Sequence, residues 1–384
     1  MSATIAASDS RTTHIVDRVL AARAAHMPLR IQGAGTWMRA GRPTDIADTL
    51  SVAADRGIIE YVPGDLTITV RAGTTLDEVA AATEPHAQWL PLDPWGGNAG
   101  TIGATLATAT SGPHSHAFGL PRDVALGVEV VTGSGQVVRA GGRVVKNVAG
   151  FDLTRLMIGA WGTLGVITEA TLRLRARPEV TRTVAIELSA ATALADVVTR
   201  LRALPFAPLA CEVLHAGAAA LLGFDAGDVL IARLGGNARA VASQLDLMRA
   251  LGTMSDVPED VWSRLRQLGL HAAGEWRWSQ LPSAFANTWS SADRSARQFP
   301  GSLRHGSPMR GVVRVVIPGT AGGDHTDMAS GATGFDGTVA VDVLPPTDWA
   351  RVAPGVAQDP LSRSIRAKFD PEAILNRGIL GAHA

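Results

Sequence analysis

The chain has 384 residues, 46% apolar and 18% charged, a globular composition too long for one ordinary hydrophobic core, so two domains are expected. Its 35 Lys and Arg cancel its 35 Asp and Glu, which argues against a general polyanion binder such as a nucleic-acid protein. The single cysteine, Cys211, excludes a disulfide framework, a cysteine zinc cage and an iron–sulfur cluster held by this chain alone.

No signal-like N-terminal pattern and no bilayer-long apolar run is present, so a reduced, cytoplasmic setting is expected. Apolar residues at helical spacing predict a helix over Thr12 to Ala25, and Pro28 then precedes a strand, Leu29 to Gln32. The next loop, Gly33-Ala34-Gly35-Thr36-Trp37, suits a nest of backbone N–H groups around a phosphate or pyrophosphate; a tight surface turn is the plainer reading. It fails the doubly wound dinucleotide fingerprint, because Met38 stands where the third glycine belongs and no helix start follows. Strands Ile58 to Val62 and Leu66 to Arg71 flank a Pro63-Gly64-Asp65 turn, and Thr75 with Glu78 forms a capping box.

After a strand from Gln88 to Leu90, small residues run from Gly96 through Gly112, leaving room for a flat ring or for close helix packing. Val124 to Thr132 and Gln136 to Arg139 form a hairpin about Gly133-Ser134-Gly135. The stretch Gly141 to Leu174 reads as loop, helix, glycine turn and strand, with glycines at 159, 162 and 165 that suit backbone laid against a large ligand. Beyond Pro178, strands (Val184 to Leu188, Ala210 to Leu214, Val229 to Leu234) alternate with helices (Ala191 to Leu204, Ala238 to Leu251), an α+β pattern. Trp262, Trp276, Trp278 and Trp289 are expected to be core, with a partner surface as the alternative. A Gly-rich loop, Gly319 to Gly334, a strand, Val339 to Val343, and a helix from about Pro360 complete the chain. His114 and His116 are metal-ligand types, but no third ligand lies nearby and a polar loop is preferred; Cys211 reads as buried, and Arg122 as a partner of phosphate or of Asp123.

These loops occur in the order seen in the PCMH-type FAD domain of the vanillyl-alcohol oxidase superfamily. Within it, Lys146-Asn147-Val148-Ala149-Gly150-Phe151-Asp152-Leu153, Gly162-Thr163-Leu164-Gly165-Val166-Ile167-Thr168-Glu169 and the terminal Lys368-Phe369-Asp370-Pro371 and Ile374-Leu375-Asn376 resemble the flavoprotein subunits of bacterial glycolate oxidase, the E-subunit family above all. The resemblance implies an α+β architecture: a PCMH-type FAD-binding domain of two α/β subdomains over 1–178, an α+β cap over 179–350, and a segment, 351–384, returning to the FAD domain. It implies that Gly33, Ala34, Gly35, Thr36 and Trp37 cradle the FAD pyrophosphate. Gly97, Thr101, Ile102, Gly103, Ser111 and Gly112 would line the flavin and ribityl chain, and Gly162, Gly165, Val166 and Ile167 the adenosine side.

Ala34 and Ala104 replace glycines common in relatives, and a positive φ at either would be strained, weakening flavin binding. Trp161 stands where self-sufficient relatives usually carry Glu, and their His-x-Gly-Asp-Gly-Asn metal motif is absent; the E-subunit family shares both traits. The resemblance thus implies glycolate oxidation to glyoxylate in a complex with a second flavoprotein subunit and an iron–sulfur subunit, any membrane association arising through that complex. Two rivals remain open, a stand-alone FAD-dependent 2-hydroxyacid or alcohol dehydrogenase and a non-catalytic assembly subunit.

Overall fold

The computed structural model describes residues 4–5, 10–142, 152–188, 194–225, 227–319, 328, 334–352 and 359–381. Lys146 to Phe151 and most of the Gly319 to Gly334 loop, both singled out in the sequence, lie outside them. The described elements begin β1 (Thr4–Ile5), α1 (Ser10–Ala24), β2 (Leu29–Gln32), β3 (Asp48–Ser51), β4 (Ile58–Val62), β5 (Thr67–Arg71), α2 (Leu76–Thr83), β6 (Gln88–Trp89) and α3 (Ile102–Thr108). Next come α4 (Ser115–Phe118), α5 (Pro121–Val124), β7 (Ala125–Val131), β8 (Val137–Gly141), α6 (Leu153–Met157), β9 (Val166–Arg173) and β10 (Arg175–Ala176). Then follow β11 (Val180–Leu188), α7 (Leu194–Arg202), β12 (Ala210–Leu214), α8 (Ala216–Leu221), β13 (Asp228–Gly236), α9 (Ala238–Arg249), β14 (Met254–Val257) and α10 (Val261–Arg266). The last are β15 (Ala272–Ser279), α11 (Phe285–Ala296), β16 (Leu303–Ser307), β17 (Val312–Pro318), β18 (Thr338–Val343) and α12 (Pro360–Phe369).

The architecture mixes helix and strand, and the chain divides into two compact units. The first comprises Met1–Ser111, Gly119–Arg177 and Ala353–Ala384; the second comprises Gly112–Phe118 and Pro178–Val352. At one place these units depart from the domains drawn on the sequence, because Gly112–Phe118, inside 1–178, groups with the second. The reason is local bonding: His114 Nε2 lies 3.1 Å from an Arg233 guanidinium nitrogen, His116 Nε2 2.6 Å from the Pro208 carbonyl oxygen, and Arg310 donates to Ser115 Oγ at 2.9 Å.

In the first unit, an antiparallel six-stranded sheet, ordered β1-β8-β7-β9-β5-β4, packs Ile68, Val70 and Leu172 against Ile102 and Leu106 of α3. A separate cluster joins Ile15 and Val19 of α1 to Leu29, Leu50, Ile374 and Leu375 around the parallel pair β2-β3. The C-terminal segment completes that pair: the Leu29 N–H donates to the Ile374 carbonyl and the Asn376 N–H to the Leu29 carbonyl.

The second unit is an antiparallel eight-stranded sheet, ordered β14-β11-β13-β12-β16-β17-β15-β18. Strand alternation puts Trp276 and Trp278 on one face of β15, where both are buried in a core shared with Phe285 and Trp289 of α11. The tryptophans are therefore core, as is Trp262, whose Nε1 donates to Thr183 Oγ1 at 2.9 Å. Arg314, buried, pairs with Glu275 and with Asp342, the latter at 2.8 Å. Cys211 is fully buried, and burial pushes its thiol well up.

Candidate functional site

The first unit holds a cleft with about 710 Å³ of open space between its walls, solvent included. One wall is Arg30 of β2 and the loop that follows the strand, with Gly33, Gly35, Thr36, Trp37 and Met38; facing it are Gly103, Ala104, Ala107 and Thr108 of α3. These α3 residues recur at helical spacing, so a stripe of small side chains faces the space. Trp161, Gly162, Gly165 and Ile167 close the remaining side with Asn376 and Ile379.

Each wall has a local cause. The Thr101 side chain caps α3, accepting from the Ala104 N–H at 3.3 Å, and a Cβ on Gly33 would overlap Thr101 Oγ1. A Cβ on Gly103 would sit 2.8 Å from that of Ala72, so this glycine is already required by packing. The Trp161 turn hangs from α3: the Gly159 N–H donates to Leu106 and the Trp161 N–H to Ala107. Trp161 adopts φ +55° and its ring stacks on Trp37 with centroids 6.0 Å apart. Asn376 fastens turn and strand together, its Nδ2 donating to the Trp161 carbonyl at 2.6 Å and its Oδ1 accepting from the Ile31 N–H at 2.8 Å.

Of the residues expected at the cofactor, the cleft gathers Gly33, Gly35, Thr36, Trp37, Gly103, Gly162, Gly165 and Ile167. Others lie elsewhere: Ile102 and Val166 are buried in the two cores, Thr101 is spent on capping, and Ala34, Gly97, Ser111 and Gly112 do not line the space. Neither Ala34 nor Ala104 has a positive φ, so the strain expected from their Cβ atoms is absent. His114 and His116 are engaged within the second unit, and among the described residues no group of three or more His, Cys, Asp or Glu is placed to hold a metal. Arg122 is exposed, while Asp123 accepts from the Leu120 N–H instead.

Two cleft residues, Arg30 and Asn376, escaped a reading of their chemistry from sequence. Arg30 is only 7% exposed, and among the described residues its side chain has no ion pair or hydrogen bond. Burial lowers its pKa, with no carboxylate raising it. The backbone N–H groups from Gly33 to Trp37 likewise donate to no acceptor among the described residues. Among the described residues the cleft therefore offers a buried cation, N–H donors without an acceptor and apolar walls, and no acidic or imidazole side chain lines it. That donor set fits a ligand with an anionic link and flat aromatic parts.

The β2 loop and α3 walls of the cleft fall in a stretch that matches a known domain family. Residues 9–141 match the family described as FAD binding domain. The fold is that of p-cresol methylhydroxylase, whose substrate-bound crystal structure aligns with a TM-score of 0.77 at 16% identity over 97% of this chain and 87% of that one. The chain is similar to glycolate oxidase subunit GlcE of Escherichia coli (strain K12), 40% identical over 184 residues, 47% of this chain and 52% of the relative. It is also similar to glycolate oxidase subunit GlcD of Bacillus subtilis (strain 168), 33% identical over 206 residues, 53% of this chain and 44% of the relative. The chain thus spans about half the length of these curated relatives. No described helix is long and apolar enough to cross a membrane.

Proposed function

We propose that this chain is the FAD-binding subunit of a glycolate oxidase complex, an oxidoreductase acting on a CH–OH group. In the complex, glycolate becomes glyoxylate and electrons pass to an iron–sulfur partner beside a second flavoprotein subunit. The observation that carries this reading is the cleft, whose N–H donors, without an acceptor among the described residues, and buried Arg30 lie within the region matching an FAD binding domain. The likeness to GlcE and GlcD supports the choice of complex. FAD supplies the redox chemistry when bound. The Gly33 to Trp37 loop and Arg30 would hold its anionic link, while α3, Ile167 and the Trp161 turn would fix its flat parts and exclude water.

The test is a visible spectrum of the purified chain followed by anaerobic glycolate, alone and with partner chains. Bound flavin that bleaches only with the partners is expected. Flavin bleached by glycolate in the isolated chain would favour a stand-alone dehydrogenase, and a chain that binds no FAD would favour an assembly role.

A further inference from the structure

A buried guanidinium without a partner is a costly arrangement, since neither water nor a carboxylate compensates its lost hydration. Arg30 stands in β2, three residues before a loop whose N–H donors point to no acceptor among the described residues, and both line one cleft. The other described residues of the lining are neutral. Cation and loop together are built for an anion rich in oxygen acceptors, and guanidinium geometry suits phosphate oxygens.

We propose that Arg30 is the counter-ion of the FAD diphosphate and the residue by which this cleft selects a dinucleotide over a free flavin. The inference rests on the FAD reading of the cleft and adds a specificity role to a side chain that the glycine pattern does not mark. The loop N–H groups orient the diphosphate, and Arg30 supplies the one full positive charge among the described residues of the cleft lining. The flavin end gains nothing from Arg30, so affinity for riboflavin is independent of it.

The full-length chain, freed of flavin, is compared with its Arg30→Met and Arg30→Lys variants. FAD and riboflavin binding are followed by flavin fluorescence, ADP by displacement of FAD, and thermal unfolding is recorded without ligand. Arg30→Met should weaken FAD and ADP roughly tenfold to a hundredfold, as expected for a lost charge-assisted bond, and leave riboflavin unchanged. Arg30→Lys should recover part of the loss. Without ligand, Arg30→Met should unfold at or above the wild-type temperature, because an uncompensated charge has been removed from the interior. Unchanged FAD affinity, or equal weakening of FAD and riboflavin, would overturn the proposal. So would a ligand-free Arg30→Met variant that unfolds well below wild type, which would mark Arg30 as structural. A wild-type chain that binds neither FAD nor ADP would overturn the cofactor reading itself, a result distinguishable from failure of Arg30 alone.

Discussion

Asn376 shows how much one side chain holds in this cleft. It has φ +45°, a region Asn tolerates better than most residues, and its amide joins the Ile31 N–H to the Trp161 carbonyl. Asn376→Ala leaves both groups without that partner and puts a Cβ-only residue in the left-handed region, for an expected loss of about 2–4 kcal/mol. Urea unfolding measures it, and a loss below about 0.5 kcal/mol would show that the clamp contributes little. Such a role is not legible in local sequence: Asn376 and Ile31 are 345 positions apart, and only the resemblance marked the terminal motif. Arg30 was hidden for a related reason. In LRIQ it reads as one polar residue of a strand, and its lack of a partner among the described residues is a property of the fold.

Elements whose signals are local were legible at the level of secondary structure. The Thr75 capping box is present, with the Thr75 N–H donating to Glu78 Oε2 at 2.8 Å, and the hairpin about Gly133 to Gly135 forms as β7 and β8. The α3 region was only half legible, since its small residues allowed either a ligand or close packing and serve both: Gly103 meets Ala72, while Ala104, Ala107 and Thr108 line the cleft. Its start is tied to the first glycine loop through Thr101. Gly33→Ala should cost about 1–3 kcal/mol by forcing a Cβ into Thr101 Oγ1, and Thr101→Ala about 1 kcal/mol through the lost cap. In the double variant the hydroxyl that Ala at 33 would strike is gone. The combined loss should therefore fall short of the sum by about 1 kcal/mol in a double-mutant cycle. Strictly additive losses would show that loop and helix are independent.

At the scale of the whole molecule, the path of the chain is the feature sequence reading missed, because Gly112–Phe118 joins the second unit while its flanks belong to the first. Within the second unit, His114 is fixed by Arg233, and an arginine can only donate, so His114 Nε2 must be the unprotonated, accepting nitrogen. Burial, then the nearby Arg233, Arg266 and His116, hold its pKa well below the ordinary 6.5. His116 is also lowered by burial and by Arg310, although carbonyls of Pro208 and Pro113 oppose the shift. The folded chain thus keeps His114 neutral where the unfolded chain takes up a proton. The resulting stability is fully present above pH 6.5 and is lost as pH falls from there toward the folded value. While only the unfolded form titrates, the loss approaches about 1.4 kcal/mol per pH unit. His114→Gln keeps an acceptor for Arg233 but cannot titrate, so urea unfolding between pH 7.5 and 5.5 should be less steep than wild type by up to that slope below pH 6.5. Equal slopes in the two proteins would show that His114 is not the group through which acid loosens this unit, and would leave its contact with Arg233 a matter of packing alone.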